Sequence, residues 1–262
     1  MRAIITGAAG GIGKAIALRM HQEAGTRGEK SQLLLVDIAR EPLDKLVDEL
    51  KNHGCDARAF VGDLSDPEVP AQIVAAAKDT FGGLDALISN AGIIARGDLL
   101  EMTVEQFDRT IDINTRATWL LGKAAFPLLQ ASKGSIVAVG SISGEQATPS
   151  LGAYSASKAA LIMLVKQMSI DWGPQGVRAN CVSPGSTHTA MTDARYSDPK
   201  LRADAEARNP ARIVGQPEHQ AAAIAFLASP DAVYINGVNL VVDGGMSNNL
   251  MVASALGDPW KK

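Results

Sequence analysis

The stretch that decides the fold is Ile4-Ile5-Thr6-Gly7-Ala8-Ala9-Gly10-Gly11-Ile12-Gly13-Lys14. An apolar segment of strand-like composition leads into four glycines and then into a segment with helical period. A strand, a glycine loop and a helix N-terminus in this order hold a pyrophosphate through backbone N–H groups, because bulky side chains would block its approach. We therefore predict that a dinucleotide cofactor contacts Thr6, Gly7, Gly11, Ile12 and Gly13.

The rest of the chain repeats this alternation of short apolar strands and longer helical segments, which is typical of a parallel sheet covered on both faces. Strands are predicted at residues 2–6, 32–37, 57–61, 84–89, 135–140, 177–182 and 238–242, and helices at 11–23, 42–52, 66–81, 103–129, 153–172 and 217–229. The pattern predicts an α/β fold at residues 1–245, a single doubly wound Rossmann-type domain with a seven-stranded parallel sheet and helices on both faces. The irregular stretch 183–215 is a candidate substrate loop.

Composition and charge restrict the classes of partner. Of 262 residues, 46% are hydrophobic and 20% are charged, the profile of a globular protein with a full core. Lys and Arg number 25 against 28 Asp and Glu, so the net charge of −3 gives no basic field for a nucleic acid or an anionic membrane. Apolar runs stay well short of the ~20 residues that span a bilayer, and the glycine loop starts at Gly7, too early for a secretory h-region, so we expect no secretory leader. We expect a cytoplasmic enzyme with a small-molecule substrate and no nucleic-acid or membrane partner.

Cysteines and histidines show no spacing typical of metal ligands. Cys55 and Cys181 lie far apart without a CxxC motif, so both are predicted to be buried apolar thiols. The four histidines lack acidic partners at metal-ligand spacing, and no metal is assigned. His188 is expected to face solvent in a loop rather than to contact substrate.

An acidic residue at the end of the second strand bears on the choice of cofactor. Asp37 follows Leu33-Leu34-Leu35-Val36, where a carboxylate can accept hydrogen bonds from both adenosine ribose hydroxyls of NAD. The 2′-phosphate of NADP would meet like charge there, although the nearby Lys14 and Arg40 would offset part of the repulsion. NAD is therefore the predicted cofactor, and NADP is less favoured.

Seven features follow one another in order along nearly the whole chain, namely Thr6-Gly7-x-x-x-Gly11-x-Gly13, Asp63-Leu64, Asn90-Ala91-Gly92, Asn114, Ser141, Tyr154-x-x-x-Lys158 and Pro184-Gly185. Single features of this kind are common by chance, but their joint occurrence at the expected sheet positions is specific. With them the sequence resembles the short-chain dehydrogenase/reductase family. The resemblance implies a Rossmann-type fold, a nicotinamide cofactor and oxidoreductase activity.

Tyr154 and Lys158 are four residues apart on a predicted helix, so they project from one face and can act at one site. A tyrosine with an ordinary pKa of about 10 is a poor base at neutral pH, but an adjacent ammonium and a positive nicotinamide ring favour the phenolate. The resemblance implies that Tyr154 transfers the proton, that Lys158 also holds the nicotinamide ribose, and that Ser141 binds the substrate oxygen. It further implies that Asn114 continues a proton path through water from the lysine.

The resemblance also implies contacts to the cofactor beyond the glycine loop and Asp37. From the adenine end to the carboxamide end these are Asp63, Leu64, Asn90, Gly92, Pro184, Gly185, Thr187 and Thr189, in addition to Tyr154 and Lys158. Position 187 departs from the family pattern, because many members carry an aliphatic residue where this chain has Thr187.

The function predicted from these residues is an NAD-dependent oxidoreductase that interconverts a secondary alcohol and its ketone by hydride transfer, with Tyr154 as acid and base. Residues 183–187 look like those of dihydrodiol-type members, which favours a cyclic or dihydrodiol-type alcohol. Two alternatives stay open. One is a serine hydrolase using Ser155-x-x-Lys158, although its companion motifs are missing, and the other is a non-catalytic NAD-binding sensor.

Assembly and the chain end give two further expectations. The helices predicted at 103–129 and 153–172 resemble those that the family pairs across a twofold axis, and apolar residues on the second helix exceed what one sheet face needs, namely Leu161, Ile162, Leu164 and Val165. A homo-oligomer is predicted, most simply a tetramer. The apolar tail at 246–262 is predicted to pack on a neighbouring subunit and to help close its substrate pocket, with a frayed terminus as the alternative.

Overall fold

The computed structural model describes residues 1–248. Seven parallel strands form one sheet in the order β3-β2-β1-β4-β5-β6-β7. Their bounds are β1 Arg2–Thr6, β2 Gln32–Asp37, β3 Asp56–Val61, β4 Ala86–Ser89, β5 Ser135–Val139, β6 Arg178–Pro184 and β7 Asn239–Val242. The strand order reverses between β1 and β4, and such a reversal opens a crevice outside the carboxyl ends of the strands. The predicted doubly wound parallel sheet is confirmed.

Helices cover both faces of the sheet. They are α1 Gly11–Thr26, α2 Arg40–Asn52, α3 Val69–Phe81, α4 Val104–Ile111, α5 Ala117–Ser132, α6 Tyr154–Trp172, α7 Asp193–Tyr196, α8 Pro199–Arg208 and α9 Pro217–Ala228. Helices α1, α2 and α9 pack on one face and α3, α5 and α6 on the other, each against its own apolar cluster. Successive β1 residues alternate between these clusters, with Ile4 on one side and Ile5 on the other.

Three sequence predictions need correction. The helix predicted at 103–129 is interrupted, because Asp112–Arg116 form a π-helical turn between α4 and α5. The helix predicted at 66–81 begins at Val69, since the Asp66 carboxylate accepts the Glu68 N–H and closes a turn ahead of the helix. The stretch 183–215 is not irregular throughout, because it contains the end of β6 and the helices α7 and α8.

The apolar residues of α6 also differ from expectation. Leu161, Ile162 and Val165 are buried in the core of the monomer, and Leu164 packs against it, so they cover the sheet and leave no excess surface. Met163 and Ile170 are the large apolar residues of α6 left exposed. A helix needs a wide apolar stripe to cover a sheet, which is why composition alone overestimated its free surface.

Two simpler expectations can be compared directly with the structure. Cys55 and Cys181 are buried free thiols, as predicted. Among residues 1–248, every helix is too short or too polar to cross a membrane.

The glycine loop between β1 and α1 is shaped by close backbone approach. Gly7 has a φ of 63°, in the left-handed region that favours glycine. A Cβ at Gly13 would overlap the carbonyl oxygen of Gly7, so the first turn of α1 lies directly against the end of the strand. Gly10, by contrast, has an extended φ of −169° and nothing within 4 Å of an added Cβ.

Replacing Gly13 by alanine should therefore destabilise the protein by about 3 kcal/mol or more, because neither backbone segment can move without disturbing the sheet. Gly10→Ala makes the same chemical change three positions earlier and should cost about 1 kcal/mol or less. Urea unfolding of both variants measures the difference. Equal losses of stability would show that the contact between Gly13 and Gly7 does not constrain the loop.

Candidate active site

The predicted site residues converge at the carboxyl edge of the sheet. The glycine loop follows β1, Asp37 ends β2, Asp63 follows β3, Asn90 follows β4 and Ser141 follows β5. Parallel strands bring these five positions to one edge although 134 residues separate Gly7 from Ser141. The edge therefore forms one continuous site, to which α6 adds Tyr154 and Lys158.

Thr6 and Asn90 hold the glycine loop against the end of β4. The Thr6 hydroxyl is fully buried and accepts the backbone N–H groups of Asn90 and Ala91 at 3.0 and 3.1 Å. The Asn90 side-chain amide donates to the carbonyl oxygens of Thr6 and Gly7, both at 3.0 Å. Both side chains thus fix the position of the glycine loop through hydrogen bonds to the backbone.

Asp37 lies beside the same loop. One of its carboxylate oxygens accepts the Ala9 N–H at 2.9 Å, and the other accepts the Ala39 N–H at 3.0 Å. Each oxygen keeps a further lone pair for a hydroxyl group. The two cations that could attract a 2′-phosphate are engaged elsewhere, since Lys14 pairs with Glu49 at 2.8 Å and Arg40 approaches Asp44 at 4.0 Å.

The loop after β3 carries Asp63 and the buried Leu64. Asp63 accepts the N–H and hydroxyl of Ser65 at 2.9 and 2.8 Å and the guanidinium of Arg109 at 3.1 Å. Burial acts to raise the pKa of Asp63, but these hydrogen bonds and the Arg109 charge outweigh it, so the pKa lies below its ordinary value. Arg109 and Arg116, which donates to the Ser65 carbonyl, were missed in the sequence because arginines on a helix usually face solvent.

Lys158 is a buried cation whose ammonium faces the edge of the sheet. It is 3% exposed, and Nζ donates to the carbonyl oxygen of Val139, the last residue of β5, at 2.7 Å. Burial lowers the pKa of Lys158 to about 8, and the neighbouring Cys181 opposes the shift only in part. An added Cβ at Gly92 would lie 3.4 Å from this nitrogen, so a side chain there would reach the space in front of the ammonium.

Tyr154 is the first residue of α6, and Ser141 lies close enough to its hydroxyl to act on the pKa of that group. The Lys158 nitrogen lies 5.8 Å from the centre of the tyrosine ring. Burial raises the pKa of Tyr154 above its ordinary value, and Ser141 offsets this only in part. The sequence argument that the ammonium favours the phenolate therefore fails for the protein alone, where Tyr154 is a neutral phenol at pH 7.

Ser141 is held in place by its own loop. Its hydroxyl oxygen accepts the Ser143 N–H at 3.1 Å and caps the short 3₁₀ turn Ile142–Gly144. Because the N–H fixes the oxygen, the hydroxyl hydrogen can point toward Tyr154. Glu145, which follows the turn, is occupied by Asn239, whose side chain donates to its carboxylate at 2.6 Å.

Asn114 lies in the π-helical turn and is 1% exposed. Its Oδ1 accepts the Ile93 N–H at 2.8 Å, and its Nδ2 donates to the Ile93 carbonyl and to Ser157 Oγ at 3.0 and 2.9 Å. Ser157 in turn donates to the carbonyl oxygen of Tyr154 at 2.7 Å. Both amide hydrogens of Asn114 are used, so this side chain ties the loop after β4 to α6 and keeps only acceptor capacity for a water molecule.

The segment after β6 closes one side of the edge. Pro184 ends the strand, and Gly185 packs against Asp243 so tightly that a Cβ would lie 2.5 Å from the aspartate side chain. Thr189 lies directly over the glycine loop, where its side chain is 3.3 Å from a Cβ placed at Gly11. His188 is partly exposed in this segment, and its ring is hydrogen-bonded to the exposed Asp193 at 2.9 Å.

The arrangement fits a dinucleotide cofactor. The glycine loop faces open space at Gly10, and a Cβ added at Gly92 would lie 3.2 Å from Asn114 Oδ1 and 3.4 Å from the Lys158 ammonium. The backbone N–H groups at the N-terminus of α1 and the Lys158 ammonium carry positive charge, and the Asp37 carboxylate lies at the end of β2. Together these groups match a ligand with a pyrophosphate and two riboses.

Comparison with known proteins agrees with this geometry. A family model described as enoyl-(acyl carrier protein) reductase matches residues 7–247. The dehydrogenase/reductase SDR family member 4 of Bos taurus is 34% identical over 250 residues, which cover 95% of this chain and 88% of the relative. The chain belongs to the short-chain dehydrogenase/reductase family. It is therefore an oxidoreductase with a Rossmann fold, in a family that binds NAD or NADP and acts on small molecules.

Two further relatives show the range within this family. The 2-(R)-hydroxypropyl-CoM dehydrogenase of Xanthobacter autotrophicus is 36% identical, with 92% of this chain and 96% of that protein covered. A crystal structure of a candidate NAD(P)-dependent gluconate 5-dehydrogenase from Beutenbergia cavernae, with NADP bound at low occupancy, superposes with a TM-score of 0.84 at 33% identity and covers 93% of this chain and 95% of that one.

Family membership and geometry both disfavour the hydrolase. The Ser155 hydroxyl oxygen accepts the Thr148 N–H at 3.3 Å, and the Lys158 ammonium donates to the Val139 carbonyl. A serine nucleophile needs its base within hydrogen-bond reach, and here the two groups are directed to different partners.

Ser157 was missed in the sequence because a small serine on a helix carries no distinguishing signal. Its replacement by alanine should destabilise the protein by about 1–3 kcal/mol, since buried polar groups of Asn114 and Tyr154 would lose a partner. Ser155→Ala makes the same change two residues earlier, at a partly exposed hydroxyl, and should cost less than about 1 kcal/mol. Chemical denaturation compares the two, and an equal or larger loss for Ser155→Ala would contradict the assigned network.

Proposed function

We propose that the protein is an NAD-dependent dehydrogenase/reductase that interconverts a secondary alcohol and its ketone. The observation that carries this proposal is the buried, carbonyl-bound Lys158 ammonium 5.8 Å from the centre of the Tyr154 ring, with Ser141 beside the tyrosine hydroxyl. Together they offer a proton-transferring group, a fixed hydroxyl for the substrate oxygen and a cation in front of Gly92.

Each residue has one part in the reaction. In alcohol oxidation Tyr154 first loses its own proton to water; the phenolate then takes the substrate O–H proton, the carbon gives up a hydride, and the C–O bond becomes a carbonyl. A bound nicotinamide cofactor supplies the hydride acceptor. Ser141 orients the substrate oxygen toward Tyr154, and the neutral phenol of the free protein is already the form that donates a proton in ketone reduction.

Lys158 and Asn114 complete the proposed proton path. The ammonium lowers the cost of a negative phenolate when Tyr154 ionises during turnover. The position of Tyr154 at the N-terminus of α6 acts in the same direction, because the helix dipole stabilises negative charge there. Asn114 holds the path in place through Ile93 and Ser157 and accepts a hydrogen bond from a water molecule.

The alcohol itself is proposed only as a class. Residues 183–187 favour a cyclic or dihydrodiol-type alcohol, and the 183–215 segment is proposed as the substrate loop of a catalytic domain at residues 1–245. Two residues that could have contacted substrate are occupied within the protein, since Glu145 is bound to Asn239 and Tyr196 is 4% exposed. Ile93 and Ile94 remain partly exposed beside the site.

We also propose a homotetramer. Large apolar side chains are exposed on α4, α5 and α6, at Phe107, Trp119 and Met163. Others are exposed before β7, at Val233 and Tyr234, and we propose that the two groups form separate faces. A closed tetramer with twofold symmetry needs two such self-complementary faces, whereas a dimer needs one. The proposed role of the tail at 246–262 falls largely outside the described residues, because they end at Asn248.

Incubation with NAD and a panel of secondary alcohols, cyclic and dihydrodiol alcohols included, tests the proposed activity through the absorbance of reduced cofactor. A sensor would bind NADH without turning over any alcohol in the panel or any matching ketone in the reverse direction. Labelling of Ser155 by a fluorophosphonate, with no cofactor reduction, would instead support a hydrolase.

Tyr154→Phe should lower kcat by about 10²–10⁴-fold, because it removes the proton-transferring hydroxyl. The dissociation constant for NADH should stay near that of the unaltered protein, since little binding surface is lost. Steady-state kinetics and cofactor fluorescence give the two quantities. Retention of most activity in Tyr154→Phe would place proton transfer elsewhere.

NAD should be used with a higher kcat/KM than NADP, because the Asp37 carboxylate repels a 2′-phosphate. Asp37→Ala should lower the ratio of kcat/KM for NAD to kcat/KM for NADP. Part of this change should come from weaker use of NAD, since the Ala9 N–H loses its acceptor. Asp48→Ala makes the same charge change at an exposed position of α2 and should leave the ratio unaltered. Equal or better use of NADP by the unaltered protein would overturn this choice.

A further inference from the structure

A buried glutamine stands behind the segment that follows β6. Gln220, in the first turn of α9, is 2% exposed. Its Nε2 donates to the Thr187 hydroxyl at 3.2 Å and to the Val242 carbonyl, at the end of β7, at 3.0 Å. The side chain therefore connects three elements, α9, β7 and the segment after β6.

Thr187 is itself enclosed. It is 6% exposed, and its hydroxyl donates to the Gly185 carbonyl at 3.1 Å while accepting from Gln220. Its own carbonyl oxygen accepts the Thr192 hydroxyl at 2.7 Å, and its backbone pairs with Gly215. The orientation of this peptide is thus set from both sides, by α9 through the side chain and by Thr192 through the backbone.

The pair accounts for the departure from the family pattern at this position. An aliphatic residue in place of Thr187 would need an apolar neighbour, whereas a buried hydroxyl needs a hydrogen-bond partner. Gln220 supplies that partner. Gln220 also lines a cavity of about 190 Å³, which no large apolar side chain fills. Gln220 Oε1 has no hydrogen-bond partner among the described residues, so its retention costs stability.

We propose that Gln220 is a positioning residue for the nicotinamide end of the cofactor site, acting through the hydroxyl of Thr187. The inference rests on the proposed function and on the cofactor contact at its carboxamide end that the family resemblance implies for Thr187. The two side chains act as a unit: Gln220 fixes the hydroxyl, the hydroxyl fixes the peptide, and the peptide presents its polar groups to the ligand.

A unit of this kind makes the two positions non-additive. Gln220→Leu removes a donor from Thr187 and from Val242 and places an apolar group against a buried hydroxyl. Thr187→Val, which is close to isosteric, leaves the Gln220 amide without one acceptor. The double variant replaces both by apolar groups that can pack together, so part of each loss should be recovered.

The experiment compares the affinities for NADH and for ADP-ribose, which lacks the nicotinamide, in the unaltered protein, both single variants and the double variant. Each single variant should weaken NADH binding by about fivefold to tenfold, as expected for one lost hydrogen bond. ADP-ribose affinity should stay within about twofold, since its contacts lie at the glycine loop and Asp37. The double variant should recover at least half of the NADH affinity that the single variants lose, measured as the logarithm of the dissociation constant.

Gln22→Leu, the same change at an exposed position of α1, should alter neither affinity. Thermal unfolding of each variant confirms that it is folded, and Thr187→Val preserves the test if Gln220→Leu is unstable. Equal losses for NADH and ADP-ribose, or additive effects in the double variant, would overturn the inference while leaving the proposed function intact. An unaltered protein that binds ADP-ribose but not NADH would refute the proposed function instead.

Discussion

The burial of the Lys158 ammonium is the constraint on which the rest of the site depends. A cation removed from water is stable only where oxygen atoms replace its hydration, and here the Val139 carbonyl at the end of β5 supplies one of them. This fixes α6 against the edge of the sheet, and with it Tyr154 one helical turn earlier. The same burial lowers the pKa of Lys158 to about 8, so the group is poised to exchange a proton near neutral pH.

The polar network around the lysine is built from backbone partners more than from charges. Thr6 and Asn90 join β1 to β4, while Asn114 and Ser157 join the loop after β4 to α6. Buried hydrogen bonds of this kind are worth little each but are costly to break, which gives a rigid frame without ion pairs. Gly92 lies beside this network, and a side chain at that position would fill the space next to the Lys158 ammonium.

The glycine loop, Asp37 and the Tyr154 and Lys158 pair could be predicted because their signals are local: glycine spacing, a strand end and a helical repeat. The π-helical turn at Asn114 could not, since one additional residue in a helix leaves no mark in apolar periodicity. Ser157 and Gln220 were missed because their importance lies in partners distant in sequence. The raised pKa of Tyr154 in the protein alone could not be predicted, because burial, which opposes ionisation, depends on packing that spacing does not reveal.

The affinity for NADH, measured as a function of pH from 7 to 10, tests the role of the buried Lys158 ammonium most directly. If the Lys158 ammonium holds the cofactor, its pKa rises from about 8 on binding, so affinity is full below pH 8 and falls as pH rises above it. We predict this decline in the unaltered protein, and weaker, pH-independent binding over the same range in Lys158→Met. An affinity that stays constant through pH 8 to 10 in the unaltered protein would contradict the central role of the buried ammonium.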